Sequence, residues 1–272
     1  MALAFEQRRD NHAIGQFDAS LFFFQSANPS TYAQAVSELG HYAKANDLPA
    51  PINRQIFQLD LGNPNALKSS SPQLAGWQRF ASDGEIETAV ALDNNAVHFT
   101  SRRYSTWQDM LPRIVDFFEK VGSSLLSEVP AVTKFQLNYQ NQFRATSSKA
   151  FRASEVFRGG NGWIAPHVKN FPDNWHSNSG AFEDITQSFR RLINVNCSCT
   201  KQIELGRPEP LAYVDAHILV AQCYDVPNES PLVIPAHLFE RILIENFDEA
   251  HSREKQVLHE LISDDYLALM RA

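Results

Sequence analysis

Residues 86–99 read IETAVALDNNAVHF, and this stretch decides the fold class. Ile86, Thr88, Val90 and Leu92 alternate with Glu87, Ala89 and Ala91. That period of two lays one row of side chains on each face of a strand. Asp93-Asn94-Asn95 supplies turn formers, and Val97 and Phe99 resume the alternation, which predicts a hairpin. Just upstream, Trp77 to Ala81 leads into Ser82-Asp83-Gly84, a second turn signal. Three short strands joined by tight turns make an antiparallel meander.

Working outward towards the N-terminus, Phe57, Leu59 and Leu61 alternate with Gln58 and Asp60, and residues 62–76 read as a polar loop. The aromatic run from Leu21 to Gln25 suits a buried strand. Asn28-Pro29 gives a cap and a proline at the first helical position. Behind it, Tyr32, Val36, Leu39 and Ala43 share a helical face that ends near Asn46, with Pro49 and Pro51 beyond. On the C-terminal side of the meander, Thr106 and Asp109 have capping-box spacing. Met110, Ile114, Phe117, Val121 and Leu125 then mark one face of a long helix. Pro112 predicts that its regular part begins later than the cap. Residues 17–128 therefore read β-α-β-β-β-β-α.

Residues 131–272 repeat this order with more decoration. Phe135, Leu137, Tyr139, Asn141 and Phe143 occupy one face of a strand, followed by a helical segment near 148–157. A Gly-, Asn- and Trp-rich loop is expected from Gly159 to about Gly180. Ile193, Val195, Cys197 and Cys199 alternate in a further strand, and Ala212 to Val220 in another. Pro235 opens the last long helix, with Leu243, Phe247, Ala250, Val257 and Leu261 on one face. Ser263-Asp264-Asp265 starts a short terminal helix. The expectation is an α+β protein of two similar halves, each an antiparallel curved sheet packed by long helices. Residues 1–16 form a tail, 17–130 the first half and 131–272 the second, the halves making one compact unit.

Composition fits a packed chain. Of 272 residues, 43% are hydrophobic and 20% charged, and 19 Phe stand against 11 Gly. The formal net charge of -7, with no basic run longer than a pair, disfavours nucleic-acid backbones as partners. Three cysteines without a framework of spacings point to a reducing compartment. The N-terminus lacks an apolar stretch of signal-peptide length, and no run approaches a membrane span, so a cytoplasmic location without membrane contact is expected.

Several residue groups invite chemistry. Cys197 and Cys199 share a strand face and would need Cys223 or His217 to complete a metal site; small core residues are the preferred reading, so no metal is assigned. Asp215 and His217 share a face with Tyr213 and suit acid–base work or an ordinary outward polar face. His251 and His259 lie too far apart for a helical metal pair, and Glu254, Lys255 and Glu260 around them read as a solvated face. Gly159-Gly160-Asn161-Gly162 lacks the strand-to-helix context of a phosphate loop, and no nucleotide-binding motif occurs, so no cofactor is expected. Trp163, His167, Phe171 and Trp175 sit in the long loop with His176, either as a recognition surface or folded back as a lid on the core.

The order of these pieces resembles a sporadically distributed family of largely uncharacterised prokaryotic proteins of about this length. The resemblance spans the first strand to the last helix and rests on Trp77 to Gly84, Tyr104 and Trp107. It also rests on Tyr139-Gln140-Asn141, Asp215-Ala216-His217 and the final helix with His251. Asn138 and Gln142 stand where that family has arginines, and His217 where it has a second acid. The resemblance implies no particular reaction, and the family's patchy distribution implies a defence, toxin-antitoxin or phage-related setting.

The leading expectation is a non-enzymatic protein that binds another protein, with Trp163, His167, Phe171 and Trp175 as contact residues. The alternative is a hydrolase of nucleotides or nucleic acid, with Asp215, His217, Tyr139 and Asn141 in a groove between the halves. A third reading is a nucleic-acid-binding saddle.

Overall fold

A computed structural model describes residues 5–7, 13–54, 57–59, 67–69, 73–145, 155–171, 174–203, 209–224 and 231–269. The alternating segments pair into one continuous antiparallel sheet of eleven strands, and helices cover one of its faces. The chain is α+β, and the curved sheet expected for each half is a portion of this single sheet.

Residues 1–130 contribute β1 (Phe5–Gln7), which together with the start of β2 lies in the expected tail, β2 (Ile14–Phe23), β3 (Ala50–Arg54), β6 (Gln73–Phe80), β7 (Ile86–Asp93) and β8 (Ala96–Ser101) to the sheet. A separate two-stranded ribbon joins β4 (Phe57–Leu59) to β5 (Leu67–Ser69). The second half contributes β9 (Ala131–Ala145), β10 (Trp175–Asp184), β11 (Arg190–Gln202), β12 (Leu211–Cys223) and β13 (Leu232–Val233). Across the sheet the order is β10-β11-β12-β9-β2-β8-β7-β6-β3, with β1 and β13 paired to the two ends of β9. The central seam is β2 against β9, where Phe17 faces Tyr139 and Leu21 faces Phe135.

The helices α1 (Pro29–Ala45), α2 (Trp107–Leu126) and α3 (Phe239–Leu261) lie side by side on one face, with α4 (Asp264–Leu269) following. Asn28 caps α1 by accepting from the backbone N–H of Ser30 and Thr31, which the Asn-Pro signal predicts. Thr106 caps α2 through the N–H of Asp109, so the helix begins at its cap. The later start expected from Pro112 is corrected: its exposed ring sits on the solvent side, where water can satisfy the freed carbonyl of Gln108.

The core fills the space between helices and sheet. Phe118 stacks on Phe247, Phe135 meets Phe247 edge-on and Tyr42 meets Phe117. Leu243, Phe247, Ala250, Val257 and Leu261 of α3 are fully buried, as their spacing requires. Glu183 and Glu249 hold Arg191, and Arg253 bridges Glu183 and Glu260, so a network of charges fastens the β10–β11 edge to α3.

Besides β1, which lies within the expected tail, and β5, which lies within the loop expected over 62–76, two edge strands escape a reading by periodicity. β3 carries Pro51 and is an edge strand, where a missing N–H costs no ladder bond. β10, at the opposite edge, lies in the stretch expected to be loop; its Ser, Asn and Gly residues show no apolar alternation. Most of the helical segment expected near 148–157 lies outside the described residues. Among the described residues, no helix is long and apolar enough to cross a membrane.

Candidate functional site

Alternation along the strands sends two sets of side chains to opposite faces. On β9, Phe135, Leu137, Tyr139, Asn141 and Phe143 point towards the helices, while Lys134, Gln136, Asn138, Gln140, Gln142 and Arg144 point away. The same parity places Asp215 and His217 of β12 on the face away from the helices. Tyr139 and Asn141 thus lie on one side of the sheet and Asp215 and His217 on the other. The four candidates for hydrolysis do not converge on a common groove.

No described helix covers the face that carries Asp215 and His217, and cross-strand register builds transverse rows on it. One row runs Asn178, Asn196, His217, Gln140, Gln16 over five adjacent strands, roughly 19 Å at the usual strand spacing. A second runs Asn194, Leu219, Asn138, Asp18, Thr100. Amide and hydroxyl donors surround Asp18 and Asp215 on this face. Asp18 accepts from Gln16 at 3.1 Å, Thr100 at 2.7 Å and Asn138 at 3.0 Å. Asp215 accepts from Gln142 at 2.6 Å and Gln140 at 3.4 Å. Burial holds His217 below the usual imidazole value against the opposing pull of Asp215 and Asp18, so it is neutral at neutral pH. His98 is lowered chiefly by burial too, and its ring bonds Ser20 at 2.9 Å and Asp93 at 3.2 Å.

The helix face holds a second polar group at the seam. Tyr139 Oη bonds His251 Nδ1 at 2.8 Å, and Trp107 stacks on the same imidazole at 4.3 Å. Glu254, one turn along α3, has a carboxylate oxygen 4.0 Å from His251 Nδ1 and is only 3% exposed. Burial pushes its carboxyl up to about 8, while burial and then Lys255 lower His251 to about 4. Both are therefore uncharged at neutral pH, and their proximity is no ion pair. Burial also raises the phenols of Tyr104 and Tyr139, and the field of Glu254 adds to both shifts.

Reading Glu254 as part of a solvated face is corrected by its burial. The signal lay in the spacing, since Glu254 falls between Ala250 and Val257 on the core stripe. The polar rows were less legible, because Asn178 belongs to the strand that periodicity missed.

The aromatic loop divides. Trp175 begins β10 and is buried against Phe157 at 5.9 Å. Trp163 is half-buried, its indole N–H donating to Glu260 at 2.8 Å. Ser179 donates to the Trp163 carbonyl, and Ser177 accepts from the Ala165 N–H. Ile164 and Val168 fill the space beneath, so this part of the loop closes the core beside β10. His167 and Phe171 are exposed. The four residues do not form one contact patch.

Cys197 and Cys199 face the helices, whereas Cys223 has the parity of Asp215 and faces away. Burial, with Asp215 contributing, raises the Cys197 thiol to about 12, which suits packing. Among the described residues no three His, Cys, Asp or Glu side chains gather as a metal site. A groove of about 340 Å³ between α2 and α3, lined by Leu111, Pro112, Val115, Ile244 and three carboxylates, lies apart from every candidate site residue named from the sequence. Compared with protein-family models, with curated proteins and with solved structures, the chain has no match in any of the three.

Proposed function

We propose that this protein is a non-catalytic binding protein and that its contact surface is the helix-free face of the sheet. The observation that carries this reading is the transverse row Asn178, Asn196, His217, Gln140 and Gln16. Amide side chains both donate and accept, so such a row can pair with polar groups of either kind on a partner surface. Asn178 and Asn196 are exposed at the β10–β11 end, where a partner has access. A protein suits this surface better than nucleic acid, because Asp18 and Asp215 sit within it and the chain carries a formal net charge of -7.

Two halves of common origin form part of the same reading. On one side of the seam the strands run β2-β8-β7-β6, on the other β9-β12-β11-β10. In each series the first strand in sequence is central and the last returns beside it.

Affinity capture from the native cells with cross-linking mass spectrometry tests the proposal. The expected result is a protein partner cross-linked through Lys134 on this face and lost when Asn178 and Asn196 are both changed to Arg. Retention of that partner by the double variant would overturn the reading, as would cross-links confined to the helices. Salt-sensitive retention on DNA or RNA would replace it with the saddle reading.

A further inference from the structure

Asn141 is completely buried, and neither its amide oxygen nor its amide nitrogen has a protein partner. It is the only described buried side chain with both amide atoms unpaired; Thr88, Trp175 and Gln222 each carry one such atom on separate strands. The Nε2 of His251 is likewise buried and unpaired. Asn141 projects from β9 towards the helices, two residues beyond Tyr139, whose hydroxyl bonds the Nδ1 of His251. Phe135 meets Phe247 and Tyr139 meets His251, so α3 advances along β9 in the same direction. Glu254 follows His251 by three residues on the same buried face of α3. Asn141 is paired with Ala216 on β12, with Cys197 beyond it, and with Ile14 on β2.

Buried polar atoms without partners are costly, and native proteins pair nearly all of them with protein groups, waters or ligands. Three such atoms, two on Asn141 and one on the imidazole that Tyr139 bonds two residues away along β9, point to a polar lining rather than a packing defect. The Tyr139 bond leaves His251 Nε2 one unused function in either tautomer, as donor or as acceptor. Asn141 offers one acceptor and two donors.

We infer that Asn141, His251 and Glu254 line an internal site between β9 and α3 that holds a small uncharged molecule able both to donate and to accept hydrogen bonds. Water has this chemistry, and so does a small amide or alcohol. An anion is disfavoured, since of the described cations on this part of α3 Lys255 is exposed and Arg253 is engaged by Glu183 and Glu260. The site lies on the opposite side of the sheet from the proposed contact surface and does not depend on it.

A high-resolution crystal structure of the full chain, with thermal unfolding of wild type and Asn141→Leu, tests the inference. The near-isosteric leucine removes the polar atoms and keeps the volume. The expected result is ordered density within hydrogen-bond distance of the Asn141 amide and His251 Nε2, lost in the variant. The variant's unfolding midpoint should fall by roughly 2–8 °C. Native mass spectrometry separates the sources: a retained adduct identifies an organic ligand, and the bare chain mass with density present identifies water. Wild-type crystals without density at the site would overturn the inference, whether or not the variant folds. So would a variant more stable than wild type, or stabilisation of the wild type by added zinc or magnesium.

Discussion

Glu254 shows how one residue can follow a helical pattern and break its chemistry. Its position completes the apolar stripe of α3, and the resulting burial keeps the carboxyl protonated up to about pH 8. An unfolded glutamate releases its proton near 4.5, so between these values the native state binds more protons than the unfolded chain and stability falls as pH rises. His251 acts in the other direction. Its value is about 4 in the fold against 6.5 unfolded, so its contribution rises from pH 4 to 6.5. The two slopes oppose one another between about pH 4.5 and 6.5, and that of Glu254 stands alone from 6.5 to 8. Urea unfolding should therefore show a loss of up to about 2 kcal/mol over this last window. Glu254→Gln should flatten it and leave the variant the more stable of the two at pH 8. Parallel profiles for wild type and variant would rule out Glu254 as the titrating group.

At the scale of elements, backbone constraints outweigh propensity in several places. Gly76 of β6 pairs with Ala91 of β7, and a β-carbon there would fall onto the Val90 carbonyl. Gly76→Ala should cost about 1–3 kcal/mol or more, read as a lower denaturant midpoint at an unchanged slope. An unaltered midpoint would mean that the β6–β7 pair relaxes freely. Gly84 is needed for another reason, since φ is +82° at the hairpin turn. Pro112 is the sixth residue of α2 and denies Gln108 its helical hydrogen bond. Pro112→Ala should restore that bond and stabilise the protein by about 1–2 kcal/mol, less than in a buried helix because the site faces water. A thermal midpoint lower than wild type would show that the proline is needed where it stands. Both the Asn28 and Thr106 caps were legible because a cap is local: the side-chain acceptor and the backbone N–H donors lie within three residues.

For the whole molecule, the seam between β2 and β9 joins the two sides of the sheet. Phe17 packs on Tyr139 at 5.0 Å, Phe118 on Phe247 at 5.3 Å, and β2 and β9 pair along most of their lengths. Separated fragments 1–129 and 130–272 should each fail to fold, because each would expose a central strand and half the core. Co-expressed, they should associate into one particle with a single unfolding transition, measurable by size exclusion and circular dichroism. A cooperative transition in either fragment alone would contradict a shared core.

The sequence by itself determined the class of structure: strand alternation around residues 86–99, the capped helices and the long apolar stripe of α3 are local patterns enforced by burial on one face. It also set the parity that puts Asp215 and His217 together and Tyr139 and Asn141 together. Only the tertiary structure decided that these pairs lie on opposite faces of one sheet, because face depends on the strand order and on where the helices pack. Pairing across β10, β11, β12, β9 and β2 likewise made a row from residues distant in sequence. The buried Tyr139–His251–Glu254 group arises in the same way, since α3 meets β9 more than 100 residues along the chain and bulk solvent does not reach the residues where they touch.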